Sequence, residues 1–138
     1  MDKALPSRRL GAAPSAAEME EIARRVLDSL PDPFAAHLKD VVLQVEEFAD
    51  EETLDAMGIE DSFDLTGLYE GVPLTVKSVD QSGGLPDRIR LFRRPILDEW
   101  ASGNDSLEHL VAHVLIHEAG HHFGFSDEDM HALEEGAR

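Results

Sequence analysis

The chain has 138 residues, 42% of them hydrophobic, with no Cys and a net charge of −17. That length fits one domain able to bury roughly two-thirds of its unfolded surface, and the missing Cys exclude disulfides, thiolate zinc sites and a Cys nucleophile together. The acidic excess disfavours binding to phosphate backbones, so no nucleic-acid partner is expected.

Nothing approaches the eighteen apolar residues a membrane span needs, and the N-terminus lacks an apolar signal core. A cytoplasmic protein without membrane contact is therefore expected. The charge is unevenly spread: residues 31–70 carry 12 acidic groups against Lys39 alone. Lys77, Arg88, Arg90, Arg93 and Arg94 gather the opposite charge within residues 71–98.

Residues 1–14 show no periodicity and read as a flexible tail ahead of a single domain over 15–138. Ser15 with Glu18 forms a capping box for a helix carrying Met19, Ile22, Ala23, Val26, Leu27 and Leu30, and Pro31 stops it. Asp32 and Pro33 open a short turn through Phe34 and Leu38. Residues 41–46 alternate as a strand with Val41, Leu43 and Val45 inward. An acidic, irregular surface stretch is expected over 47–61, without EF-hand spacing, and a short helix over 64–69.

Residues 72–79 and 88–93 follow as an expected antiparallel pair across a Gly-Gly and Pro loop. Ile89 and Leu91 share one face of the second strand, and Arg88, Arg90 and Phe92 the other. Its arginines suggest an edge position. Pro95 is expected to open a short helix with Leu97 and Trp100, stopped by Gly103 and Asn104. Asp105 and Glu108 then launch a helix over 106–123, whose face Leu107, Leu110, Val111, Val114 and Leu115 is apolar. Ser126 caps a last helix to Glu135 carrying Met130 and Leu133.

The chemistry lies at the end of that long helix, in His117-Glu118-Ala119-Gly120-His121-His122-Phe123-Gly124-Phe125-Ser126-Asp127. His117 and His121, four apart, share a helix face and can reach one metal ion. Glu118 stands where a bound water needs a base. Gly124 can adopt the left-handed backbone that ends a helix, and Asp127 then comes into position as a third ligand. For this composition an H-E-x-x-H-x-x-G pattern with Asp or His at the eleventh position arises by chance in roughly one chain in two thousand. Such a site points to zinc, and to amide hydrolysis with Glu118 as general base.

The other histidines divide by geometry. His113 and His109 lie one and two turns before His117 and are expected in ordinary or supporting positions. His122 points about 100° from His121 and cannot share its metal. His131 is expected at the surface, and His37 carries no signal. A Glu from a later helix is the rival third ligand, with little chain left to supply it.

The H-E-x-x-H-x-x-G-x-x-D stretch resembles the Asp-ended metzincin signature. Together with the segments at 67–74, 85–89 and 92–97, it is similar to the short bacterial zincin-like metallopeptidases. That resemblance implies an α+β minimal zincin-like domain, with a small mixed β-sheet packed against an active-site helix and flanking helices. It also implies Zn2+ on His117, His121 and Asp127. The reading is a zinc metallopeptidase acting on a peptide or protein substrate, held along an edge strand for which residues 88–93 are the first choice. The alternatives are a zinc-binding or protein-interaction module with weak or absent catalysis, and a metal-dependent ribonuclease, which Glu118 and the acidic surface oppose.

Overall fold

A computed structural model describes residues 11–32, 34–71 and 87–136. Helix α1, Ala16–Ser29, begins at the expected box: the Ser15 hydroxyl accepts from the Glu18 N–H, and the Glu18 carboxylate accepts from the Ser15 N–H. Its Met19, Ala23, Val26 and Leu27 are buried, the four- and three-residue spacing of one helix face. Helix α2, Phe34–Leu38, follows, with both end residues buried. Of the expected tail, residues 11–14 are described. Pro14 is buried, and its carbonyl accepts from Arg93 Nε at 2.8 Å.

Strand β1, Val42–Glu46, buries Leu43 and half-buries Val45, as its alternation predicts. The acidic stretch beyond it is not irregular. It holds helix α3, Glu51–Met57, because the Asp50 side chain caps the Thr53 N–H and Gly58 takes a left-handed φ of 71° at the other end. The short helix expected over 64–69 is also absent. A 3-10 turn covers Ser62–Asp64, and strand β2 runs Gly67–Glu70. The expected strand at 72–79 and its loop lie outside the described residues up to residue 86.

Strand β3, Arg88–Phe92, is central among the described strands, in the order β1-β3-β2. It pairs parallel with β1 (Leu43 opposite Ile89) and antiparallel with β2 (Tyr69 opposite Ile89). The sheet is mixed, but the edge position expected of the Arg-bearing strand is overturned. The flanking strands carry the countercharge. Arg88 Nε donates to Glu70 at 2.9 Å, and Arg90 donates to Glu46 at 2.9 Å and to Glu70 at 3.1 Å. Arg90 is only 5% exposed, so a central strand tolerates it because both neighbours neutralise it.

The two faces of β3 feed two cores. Ile89 and Leu91 join α1 and the long helix in the main cluster, whereas Phe92 packs with Ala49 and Leu65 on the other side, beside Leu54 of α3. Helix α4, Arg93–Ser102, starts two residues before Pro95, with Phe92 as its cap. Helix α5, Leu107–Phe123, is capped by Ser106, whose hydroxyl accepts from the His109 N–H, rather than by Asp105. Helix α6, Asp127–Gly136, completes the chain, with Ser126 Oγ accepting from the Asp129 N–H.

Burial fixes the pose of α5. Val111, Leu115, Ile116 and Ala119 have no exposed surface, and each large apolar side chain so buried contributes about 1.5–3 kcal/mol. Strand β2 lies so close that a β-carbon on Gly67 would sit 2.7 Å from Val114 Cγ1. Among the described residues, no helix is long and apolar enough to cross a membrane.

Candidate metal centre

The polar side of α5 carries His109, His113, His117 and His121 at successive four-residue steps, which stacks them in one row. His117 and His121 do share a face, with ring centroids 6.1 Å apart and planes at 86°. Their helix ends at Gly124, left-handed at φ 78°, whose N–H reaches back to the carbonyls of Gly120 and His121. Asp127 is then the first residue of α6. Its side chain lies outside the described residues.

Glu118 is partly buried at the sheet side of this row. Burial pushes its carboxyl above the ordinary carboxylate range, while the Tyr69 backbone N–H and the charge of His121 work against that shift. A carboxylate moved in this direction is a better base than one in open water. Tyr69 belongs to β2, so strand and helix meet at Glu118.

Tyr69 is itself pinned. Its hydroxyl donates to Asp87 at 2.6 Å, and its ring stacks on His122 at a centroid distance of 4.0 Å. Burial first, and then the neighbouring Asp87, push the phenol above its ordinary value. His122, which lies 3.8 Å from Asp87, therefore takes a packing role away from His121. His131 faces Glu135 at the surface, as expected. His37 stacks near Phe123.

The sequence offered a Glu from a later helix only as a rival third ligand and did not single out Glu134. This α6 residue, 7% exposed, accepts from His113 Nδ1 at 2.9 Å and from His117 Nε2 at 2.8 Å. The carboxylate can only accept, so protons are assigned to those two ring nitrogens on chemical grounds. Burial opposes the Glu134 charge, but the hydrogen bonds and charges of His113 and His117 outweigh it and hold the carboxyl below its usual range. The ring of His113 lies 4.2 Å from that of His117. His113 was expected in an ordinary or supporting position, and the four-residue ladder was the available signal for more.

These donors suit zinc: imidazole nitrogens and carboxylate oxygens are its borderline-soft ligands, and the donor atoms of His113, His117 and Glu134 already lie within 4.8 Å of one another. A family model for zincin-like metallopeptidases matches residues 38–137. The chain belongs to the zincin-like metallopeptidase family. Membership agrees with the α+β architecture and implies zinc binding and hydrolase chemistry at the level of the family. The match takes in both the helix pair that carries the candidate donors and the sheet that packs on it. No curated protein matches this zincin-like chain.

Proposed function

We propose that this zincin-like chain is a zinc-dependent peptidase, with His117, His121 and Asp127 as metal ligands and Glu118 as general base. The observation that carries the reading is the pairing of Glu118, raised by burial, with the shared face of His117 and His121. A zinc ion in this donor set supplies the Lewis acidity that makes water nucleophilic near neutral pH. Glu118 takes the proton of the attacking water and delivers it to the leaving amine. The Tyr69 N–H orients that carboxylate from the strand side.

The peptide is held along β2 rather than β3. Strand β3 is hydrogen-bonded on both sides, whereas β2 is an edge among the described strands and lies against α5. An extended substrate adds to such an edge through main-chain hydrogen bonds. The test is Glu118→Gln, which keeps the metal-binding residues and removes the base. It retains zinc by metal analysis and loses cleavage across an unbiased peptide library; equal cleavage by the variant refutes the mechanism.

One observation favours a second reading, a zinc-holding module without turnover. Among the described residues, the donors gathered around His117 are those of His113, one turn before it on α5, and Glu134 of α6. That reading expects bound zinc and no cleavage of any library member by the unaltered protein.

A further inference from the structure

The imidazole ladder of α5 is longer than a two-histidine metal site needs, and Glu134 closes its upper half. We infer that His113, His117 and Glu134 form a second site for a divalent transition metal, overlapping the first through His117, so that the chain fills one site at a time. The inference leans on the peptidase reading only for the site it competes with.

The geometry favours an ion over a purely supporting carboxylate. A carboxylate that steadies a metal-bound histidine bonds the ring nitrogen turned away from the metal. Glu134 instead puts one oxygen on His117 Nε2 at 2.8 Å and the other on His113 Nδ1 at 2.9 Å. It thus sits between two ring nitrogens, each of which becomes a ligand on losing its proton. Tetrahedral zinc with ligands at about 2.0–2.1 Å sets its donors roughly 3.3 Å apart. The three donor atoms already lie within 4.8 Å of one another, a gap that side-chain rotation can close.

Access and partition follow. The His113 side chain is 46% exposed and gives an ion a way in, while that of Glu134 is 9% exposed and held in place. An ion there sits one helical turn, about 5.4 Å, up α5 from one held by His117 and His121. It takes His117 with it, which empties the first site of a ligand. The chemical class is a borderline-soft divalent ion, Zn2+ or Co2+.

The experiment is an equilibrium titration of the metal-stripped protein with Zn2+ against a chromogenic chelator, with histidine ring signals followed by NMR. His121 is exposed, so His121→Asn removes the first site without touching the core. That variant is expected to bind one Zn2+ per chain. Adding His113→Asn or Glu134→Gln to it weakens binding about tenfold or more.

His121→Asn that stays folded by circular dichroism yet binds no Zn2+ overturns the inference. So does residual binding that neither His113→Asn nor Glu134→Gln weakens. If His121→Asn fails to fold, the unaltered chain still decides between the outcomes. Zn2+ in excess shifts the His113 ring signals and Glu134→Gln abolishes the shift, whereas unmoved His113 signals refute the site. The peptidase reading fails separately, when the His113→Asn/Glu134→Gln double variant binds no Zn2+ while His121→Asn still does; that result leaves the second site standing.

Discussion

Met130 of α6 seats against Gly120 of α5, leaving no room for a β-carbon, and Met130 is fully buried there. The last two helices touch at this point, which sets how α6 carries Glu134 toward His117. Ala at an exposed helix position is worth about 1 kcal/mol over Gly, but here the added methyl must displace the thioether. Gly120→Ala is therefore expected to lower stability by about 1–3 kcal/mol, read from denaturant midpoints. It also weakens zinc retention. A stabilised variant shows that the contact relaxes freely.

Gly124 makes a separate demand. At φ 78° with open space around it, a side chain meets no neighbour, yet the backbone itself is unfavourable for an L residue. Gly124→Ala should cost about 1–2 kcal/mol, and Gly124→Asn less. Thermal denaturation of the two variants side by side measures this; equal midpoints refute the backbone explanation.

Tyr69 is the only tyrosine, so tyrosinate absorbance reports it alone. Its folded pKa is raised, so its contribution to stability is whole below the unfolded value of about 10 and is lost as the pH climbs above that. The expected alkaline titration lies above pH 10 and coincides with loss of the fold by circular dichroism. A phenol that ionises near 10 in the folded chain contradicts the buried Asp87 bond. Tyr69→Phe removes that bond and should cost about 1–3 kcal/mol.

Glu70 carries the opposite sign. Burial works against its charge, but the bonds from Arg88 and Arg90 prevail and depress its folded pKa. Its contribution is present above the unfolded value of about 4.3 and fades as the pH falls through the lower, folded one. Glu70→Gln should thus be less stable than the native chain at pH 7, by about 1–2 kcal/mol given its part exposure. The gap should narrow in acid. Urea unfolding at both pH values checks it, and a gap that widens in acid rules it out.

What the sequence disclosed were the features set by neighbours in the chain. The Ser15–Glu18 box, the Gly124 stop and the Ser126 cap are each decided within four residues, and each is present. Helix α3 was equally local, since Asp50 and Gly58 mark its ends; the density of acidic residues between them hid it.

The features that escaped depend on distant partners. Arg90 looked like an edge residue because Glu46 lies 44 positions away from it. The Tyr69 N–H near Glu118 has no local signature. Glu134 meets His117 across 17 positions, and only the docking of α6 on Gly120 makes that encounter visible.

The parallel pairing of β1 with β3 brings Val42 beside Arg88. Closing so long a loop carries an entropic cost of about 3 kcal/mol before any contact repays it. The candidate ligands lie instead on two consecutive helices joined by a short turn, where closure is cheap. Bringing the candidate ligands together therefore costs less chain entropy than bringing Tyr69 of β2 to Glu118. The proposed ligand set and the proposed base thus rest on different parts of the fold, the first on two neighbouring helices and the second on the sheet.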